Sequence, residues 1–202
     1  MHLYLATGNH HKIGEVSAIL AASGVAAEVL PPSAVGGMPE VVEDTGTFIG
    51  NAMKKAHALA AKIPAGAWAL ADDSGVCVDA LDGHPGVESA YYAGHPCNDA
   101  ANNAKLLAAL RGVPADRRGA AFHCCIVAVN TDGRAVSFEG RCPGRILDTP
   151  RGTGGFGYDP LFLPDGFSIS YAELDESVKH TISHRARALA KLVAWLRAEA
   201  PR

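Results

Sequence analysis

Four short polar clusters in the sequence carry residue types that could do chemistry. The first, Thr7-Gly8-Asn9 followed by Lys12, lies between a predicted strand and a predicted helix. Such a junction offers unpaired backbone N–H groups and the positive end of a helix dipole, to which Lys12 adds a full charge. The cluster therefore suits a phosphate group, although an ordinary strand–helix turn with Asn9 as its cap has the same pattern.

The second cluster joins Glu43 to a predicted helix that carries Asn51 and Lys55. Asn51 and Lys55 are four residues apart and therefore share one helix face. A carboxylate beside an amide and an ammonium could organise a metal and a phosphate. The alternative is an acidic loop that precedes a solvated helix face.

The third cluster, Asp72-Asp73-Ser74-Gly75, follows the apolar run 67–71, which is typical of a buried strand. Two adjacent carboxylates are costly at a strand end unless a cation or hydrogen-bond donors compensate them. Ligands collect at the carboxyl ends of strands in open α/β sheets, and carboxylate oxygens suit Mg²⁺. The pattern favours a metal or general-base role over a turn closed by its own side chains.

The fourth cluster is the glycine-rich run 154–160, with Lys179 and Ser183-His184-Arg185 further along the chain. Phe156 is the lone aromatic between the glycines, and such a ring can stack on a flat ligand. Ser183-His184-Arg185 marks the predicted start of the last helix and supplies N–H, imidazole and guanidinium donors.

Other sequence patterns are not expected to form functional sites. Residues 152–157 match G-x-G-x-x-G, but Pro160 and an apolar run follow instead of a helix, which speaks against a dinucleotide site. His180 and His184 have helical metal spacing, but nothing nearby completes a zinc site. No G-x-S-x-G elbow supports a serine nucleophile. Taken together, the cations, carboxylates and single aromatic suit a Mg²⁺–nucleoside triphosphate better than a sugar, an acyl group or a peptide.

The composition of the chain limits the class of protein to which these clusters can belong. The 202 residues are 48% hydrophobic and 19% charged, which suits a single α/β domain spanning residues 1–202. A net charge of −3 is a poor match for nucleic acid. The longest strictly apolar run, 124–129, is far below the roughly 20 residues of a membrane span, and no signal peptide is expected. Five cysteines without a C-x-x-C pair indicate a reducing, cytoplasmic location.

Hydrophobic periodicity predicts the elements that must position the clusters. Strands are predicted over residues 2–6, 27–30, 67–71, 120–129 and 134–139. Helices are predicted over residues 12–23, from a cap at Thr47 to Pro64, from a cap at Asn98 to about residue 110, and from about Ser183 onward. No repeat or linker interrupts them, so a mixed sheet is the economical prediction.

Five motifs resemble, in order and spacing, the inosine/xanthosine triphosphate pyrophosphatase family. They are TGNHHK, the pattern E-x(4)-F-x-x-N-A-x-x-K-A from residue 43 to 56, ADDSGVCVDALDGHPGVESAYYAG, GTGGFGYDPLF and SHR. The resemblance runs from residue 3 to about residue 197, nearly the whole chain.

The resemblance implies a homodimeric α/β protein with a long mixed β-sheet flanked by helices, and two lobes with a central substrate cleft. It implies Mg²⁺-dependent hydrolysis of deaminated purine nucleoside triphosphates (ITP, dITP and XTP) between the α- and β-phosphates. The products would be the nucleoside monophosphate and pyrophosphate.

Motif positions carry the family's functional residues onto this chain. Asp73 matches the general base, and Glu43 with Asp73 matches the metal site, with Asp72 as a further candidate ligand. The substrate-binding positions implied are Thr7, Gly8, Asn9, His10, His11, Lys12, Asn51, Lys55, Ser74, Phe156, Gly157, Tyr158, Asp159, Lys179, His184 and Arg185.

Two residues depart from the family pattern. Glu88 and Tyr91 stand where the family usually has a tyrosine and a basic residue. Loss of that cation would weaken phosphate binding or alter the dimer surface, unless Arg145 or Arg151 replaces it. A non-catalytic nucleotide sensor and a related hydrolase for another modified base therefore remain alternatives, although a sensor has no need of a general base.

Overall fold

The computed structural model describes residues 1–199, without the side chains of His10 and His11. Within that range the strands form one sheet in the order β2-β1-β3-β4-β5-β6. They are β1 (His2–Leu5), β2 (Glu28–Leu30), β3 (Trp68–Val78), β4 (Gly119–Asn130), β5 (Ala135–Ile146) and β6 (Phe162–Pro164). β1 pairs in parallel with β2 and β3, whereas β5 and β6 are antiparallel, so the sheet is mixed as predicted.

The helices in the described range are α1 (His10–Ala22), α2 (Phe48–Ala60), α3 (Asp99–Ala109), α4 (Glu176–Ile182) and α5 (His184–Glu199). Both predicted caps are confirmed. The Thr47 side chain accepts a hydrogen bond from Gly50 N at the start of α2, and Asn98 accepts one from Ala101 N at the start of α3. These side chains satisfy backbone donors that the first helical turn leaves unpaired.

The chain divides into two compact units. The first comprises Met1–Asp73, Cys124–Gly140 and the chain from Arg185 onward. Its apolar residues cover both faces of the sheet, because successive side chains of a strand point to opposite faces. One face packs against α1 and α5, and the other packs against α2.

The second unit comprises Ser74–His123 and Arg141–His184. Its core joins the later part of β3 to aromatic side chains and to α3. Phe122 is central there, because its ring lies 4.7 Å from the ring of Phe162 and 5.8 Å from that of Tyr171. The strands β3, β4 and β5 each contribute residues to both units.

Four elements differ from the prediction. β5 continues past residue 139 to Ile146, and β6 has no predicted counterpart. β3 continues to Val78, so the polar cluster 72–75 lies within a strand and not in a turn after it. The seven-residue helix α4 precedes Ser183, and α5 begins one residue after it. The α/β class and the mixed sheet are confirmed, while the single domain over residues 1–202 and the cleft between two lobes stay predictions. No helix within residues 1–199 is long and apolar enough to cross a membrane.

Candidate active site

The alternation of β3 separates the two adjacent aspartates. Leu70 lies in the core shared with α1 and α5, and Ala71 lies in the core shared with α2. Continuing that alternation places Asp72 against α1 and α5, and Asp73 against α2. The contacts of the two carboxylates follow this division. The repulsion expected from their adjacency in sequence is therefore reduced, since they face opposite sides of the sheet.

Asp73 and Glu43 share one ammonium group. Lys55 Nζ donates to Asp73 Oδ1 at 2.9 Å and to Glu43 Oε2 at 2.8 Å. Asn51 Nδ2 donates to Asp73 Oδ2 at 3.4 Å, while Thr45 Oγ1 donates to Asn51 Oδ1 at 2.8 Å and fixes the orientation of that side-chain amide. These contacts bring together the predicted base Asp73, the other predicted metal ligand Glu43, and the predicted substrate-binding residues Asn51 and Lys55.

Burial is the main influence on the acidity of this group. Burial and, more weakly, the neighbouring Glu43 raise the pKa of Asp73, Lys55 opposes both, and the pKa that results is about 6. Burial also opposes the charge of Lys55, but Asp73 and Glu43 outweigh it and raise the pKa of the ammonium. Asp73 is thus a carboxylate whose proton affinity lies close to neutral pH, as general-base chemistry requires.

Asp72 lies in a separate network of buried charges. Arg185 Nε donates to Asp72 Oδ2 at 2.9 Å, Lys12 Nζ pairs with Asp72 Oδ1, and Arg185 Nη1 donates to Glu15 Oε2 at 2.5 Å. The Cys124 thiol also lies 3.1 Å from Asp72 Oδ2. Burial alone would raise the pKa of Asp72, but Arg185 and Lys12 hold it well below its ordinary value.

This network does not bring Asp72 to Glu43 and Asp73. The carboxylate faces the opposite side of the sheet, and both of its oxygens already bind cationic side chains. Glu43 and Asp73 are thus the pair whose hard oxygens suit a divalent cation. Among residues 1–199, no group of three His, Cys, Asp or Glu side chains is arranged to hold a metal ion.

The junction between β1 and α1 has the geometry of a capped turn. Asn9 Oδ1 accepts from Lys12 N at 3.4 Å, and Thr7 Oγ1 accepts from Asn9 N at 3.1 Å. A Cβ atom at Gly8 would have nothing within 4 Å, so the backbone there is open to a ligand. The cap and the predicted phosphate site are therefore compatible. The side chains of His10 and His11 lie outside what the structure describes.

In the second unit, Lys179 and Asp159 form a buried ion pair beside Phe156. Asp159 Oδ2 also accepts from Phe156 N at 2.9 Å. Lys179 Nζ lies 5.0 Å from the centre of the Phe156 ring and 5.5 Å from that of Tyr171, within the range of a cation–π interaction. The structure thus groups one half-buried aromatic face with an ammonium and a carboxylate.

The other predicted substrate residues have structural contacts. The Tyr158 hydroxyl donates to Ser89 O at 2.8 Å, and the His184 ring stacks on Phe122 at 4.7 Å. Gly157 is held by α3 through both of its backbone polar groups. Ser74 is half-buried.

Several residues with clear roles in these clusters were not predicted from the sequence. Glu15 stands three residues after Lys12 on α1, so helical spacing could have indicated that the two share a face. Asp99 and Asn103, which bind Gly157, have the same kind of spacing on α3. Cys124 carries no local signal, because its contact with Asp72 joins residues that are 52 positions apart.

The two departures from the family pattern are both exposed. Tyr91 is 48% exposed, and its ring stacks on that of His95 at 4.1 Å. Glu88 lies in the same 3₁₀ segment, Gly86–Tyr91. Arg145 and Arg151, the candidate replacements for the missing cation, are exposed as well.

Comparison with known proteins gives consistent matches over the whole chain. The model of the Ham1 family matches residues 3–195. A dITP/XTP pyrophosphatase of Opitutus terrae is 59% identical over 199 residues, which cover 96% of this chain and 98% of that protein. A dITP/XTP pyrophosphatase of Geobacter sulfurreducens is 50% identical over 190 residues, 94% of each chain.

Solved structures agree with these sequence matches. A HAM1 protein from Coxiella burnetii superposes with a TM-score of 0.88 at 36% identity, over 98% of this chain and 99% of that one. The Ham1 protein of Staphylococcus aureus superposes with a TM-score of 0.87 at 35% identity, over 98% and 100% of the two chains.

Proposed function

The chain belongs to the Ham1 family, and from that membership we propose that it hydrolyses the triphosphates of deaminated purine nucleosides, ITP, dITP and XTP. The products are the nucleoside monophosphate and pyrophosphate. The observation that carries the proposal is the buried Asp73, whose pKa is raised to about 6 and whose carboxylate lies within hydrogen-bond reach of Lys55. A site that only bound nucleotide would have no need of such a base.

Asp73 is the residue that accepts the proton of the attacking water. Its pKa near 6 leaves it mostly ionised at neutral pH and still able to take up a proton. Lys55 and Asn51 hold the carboxylate in one orientation. Lys55 supplies positive charge that stabilises the leaving pyrophosphate, and Lys12 adds to it, since its charge also reaches Asp73 and partly offsets the rise that burial causes in the pKa of that carboxyl.

Mg²⁺ fits the chemistry of the donors beside this base. Glu43 and Asp73 present carboxylate oxygens to a common cation, at present the Lys55 ammonium, and Mg²⁺ prefers such hard ligands. When bound, the ion neutralises triphosphate charge and polarises the phosphoryl group under attack. Glu43 and Asp73 would hold it, and Asp72 would not contribute.

Base recognition is proposed for the aromatic cluster of the second unit. The face of Phe156 suits stacking on a purine, and the Lys179 ammonium is a donor for the carbonyl at purine C6. The sequence favours the Ser183–Arg185 helix start as a source of donors, but the Arg185 guanidinium bonds to Asp72 and Glu15. By contrast, Lys179, although paired with Asp159, lies beside the Phe156 ring. Adenine would bring an amino group against a donor, a mismatch that costs on the order of 1–3 kcal/mol.

A product assay with Mg²⁺ tests the proposal. The substrates are ITP, dITP, XTP, GTP, ATP and dUTP, and monophosphate, diphosphate, pyrophosphate and orthophosphate are resolved separately. We expect monophosphate and pyrophosphate from ITP, dITP and XTP, with ATP nearly untouched. Nucleotide binding without turnover would favour a sensor, and preferred cleavage of dUTP would favour a hydrolase for another modified base.

The matched variant is Asp73→Asn, which keeps the size of the side chain and removes the base. We expect kcat for ITP to fall by at least about 100-fold while the circular dichroism spectrum is unchanged. Activity near that of the wild type would contradict the assignment of Asp73.

We further propose a cytoplasmic homodimer. The dimer rests on the family resemblance, and sedimentation at micromolar concentration should give twice the chain mass of 20.9 kDa. The location rests on cysteine usage, since all five cysteines in the described range are free thiols. The weakly acidic net charge of −3 supports a small-molecule substrate and not nucleic acid.

A further inference from the structure

The first turns of α3 contact two segments of the second unit. Asn102 is 2% exposed, accepts from Ala93 N at 2.7 Å and donates to Ala90 O at 3.0 Å. These bonds join α3 to the 3₁₀ segment Gly86–Tyr91 at Ala90 and to Ala93 just after it. On the neighbouring helix face, Asp99 and Asn103 contact the loop 155–159, which carries Phe156.

Two hydrogen bonds from α3 hold one residue of that loop. Asp99 Oδ2 accepts from Gly157 N at 2.7 Å, and Asn103 Nδ2 donates to Gly157 O at 2.8 Å. Asp99 and Asn103 are four residues apart and therefore lie side by side on the helix. Asn103 Nδ2 also donates to Asp99 O at 2.9 Å, which fixes its own amide against the helix.

The loop has a backbone that needs such support. Gly155 and Gly157, which flank Phe156, have φ values of +73° and +62°, a region that glycine adopts readily and other residues rarely. Glycine loses more conformational freedom on ordering than any other residue, so a free loop of this composition would sample many positions. The bonds to Gly157 remove that freedom one residue away from the aromatic ring.

We infer that Asp99 and Asn103 are positioning residues for base recognition. They touch neither the base nor the reacting phosphates, and they act by fixing Gly157 and hence the ring of Phe156. Binding then needs little further ordering of the loop, which favours affinity for the base. This inference rests on the proposed function, because it assigns to Phe156 the stacking role described above.

The first readout needs no substrate. Amide hydrogen exchange is measured by mass spectrometry on peptides covering residues 155–158, in the nucleotide-free protein. Asn103→Ala and Asp99→Ala should each speed exchange in this loop relative to the wild type. Asp99→Asn should restore slow exchange, because its amide oxygen still accepts from Gly157 N.

The second readout is kinetic. We expect each alanine variant to raise KM for ITP about tenfold, the equivalent of one lost hydrogen bond, and to change kcat by less than about twofold. The inhibition constant of pyrophosphate should stay the same, because that ligand has no base to stack. A merely structural loss would weaken pyrophosphate binding as well.

Asn98→Ala is the matched control. Asn98 caps α3 through Ala101 N at 2.9 Å and does not bond to Gly157, so its loss weakens the helix and not the loop contact. KM for ITP should then stay at the wild-type value. A rise in KM equal to that of Asn103→Ala, or unchanged exchange and KM in both alanine variants, would overturn the inference.

Failure of the proposed function would be seen separately. If the wild type hydrolyses none of the tested triphosphates, the proposed function fails, and equilibrium binding of ITP by calorimetry replaces KM in the comparison. Faster loop exchange together with weaker ITP binding in Asn103→Ala would then still support the positioning role. Equal ITP affinity in the variant and the wild type would reject it.

Discussion

At the scale of single residues, Asp73 combines catalytic usefulness with a cost to stability. Burial raises its pKa from 3.8 to about 6, so the folded protein retains a proton that the unfolded chain releases between those values. Stability therefore falls as the pH rises through that interval, and the cost is complete once the folded carboxyl has ionised.

Asp73→Asn should remove this cost. In metal-free buffer with EDTA, the variant's free energy of unfolding relative to the wild-type value should rise by about 1 kcal/mol between pH 5 and pH 7.5. Urea unfolding at both pH values measures it. Asp116→Asn is the control, since it removes an exposed carboxyl. A margin for Asp73→Asn that does not change with pH would contradict the raised pKa.

Arg185 contributes to stability by pairing with two buried carboxylates, Asp72 and Glu15, and Lys12 also pairs with Asp72. The side chain is 1% exposed and bonds to Asp72 and Glu15, which are themselves buried. Removing one partner of a buried ion pair costs about 3–5 kcal/mol, because the remaining charge stays desolvated.

We therefore expect Arg185→Ala to lower the free energy of unfolding by roughly 3–5 kcal/mol, measured by urea unfolding. Arg185 is also one of the substrate-binding positions that the family resemblance implies, so KM for ITP is measured on the folded fraction of this variant. Arg187→Ala, on the same helix, serves as the comparison. Equal stability of Arg185→Ala and the wild type would show that the network is not compensating buried charge.

At the scale of elements, β3 packs directly against the 3₁₀ segment Gly86–Tyr91. A Cβ atom at Gly75 would collide with the carbonyl oxygen of Gly86 and with Ser89 Oγ. Ser89 Oγ in turn donates to Gly86 O at 2.6 Å and accepts from Val76 N at 3.0 Å. The glycine of the motif Asp72-Asp73-Ser74-Gly75 is thus required by close backbone approach.

Gly75→Ala should consequently destabilise the protein, although alanine is ordinarily the less costly residue within an element. The clash is with backbone, which cannot rotate away, so we expect a loss of about 1–3 kcal/mol in urea unfolding. Gly133→Ala, in the turn before β5, tests the cost of a lost positive φ without a clash. No change for Gly75→Ala would mean that the 3₁₀ segment shifts freely.

The sequence predicted elements well where the signal was local. The caps Thr47 and Asn98, the mixed sheet and the start of α5 all follow from neighbouring residues. The prediction from sequence ended β3 at residue 71, because carboxylates follow. In the structure, cations from α1, α2 and α5 compensate these carboxylates, and the strand continues to Val78. α4 was missed because seven residues carry too little periodicity.

The site was predicted in the same uneven way. Asp73, Glu43, Asn51 and Lys55 were expected in one assembly, and the structure brings them together. The separation of Asp72 from that assembly required the strand's extent to be known. The partnership of Asp72 with Arg185 spans 113 residues and has no local signal.

At the scale of the whole molecule, the five cysteine thiols differ in their exposure to solvent. Within the described range Cys97 is the exposed thiol, Cys77 is half-buried, and Cys124, Cys125 and Cys142 are buried. Burial raises the pKa of the Cys124 thiol well above its ordinary value, and Asp72 raises it further. The thiolate, which is the reactive form, is therefore suppressed in the interior.

Iodoacetamide should accordingly modify Cys97 first in the native protein and all five cysteines in denaturant. Peptide mass spectrometry assigns the order of labelling. Cys97→Ser should abolish the fast phase without changing the far-ultraviolet circular dichroism. Fast native labelling of Cys124 would contradict the burial of the network around Asp72.

The ion network around Asp72 also bears on the order in which the protein can fold during synthesis. Asp72 and Glu15 emerge from the ribosome long before Arg185, which belongs to the last helix of the described chain. Until that helix emerges, closing the sheet against α1 would bury two carboxylates with one ammonium between them, at a cost that a growing chain avoids by staying open. The first unit can therefore complete its core only after α5 has left the ribosome, and a chain that stalls before α5 leaves these carboxylates and apolar strands exposed.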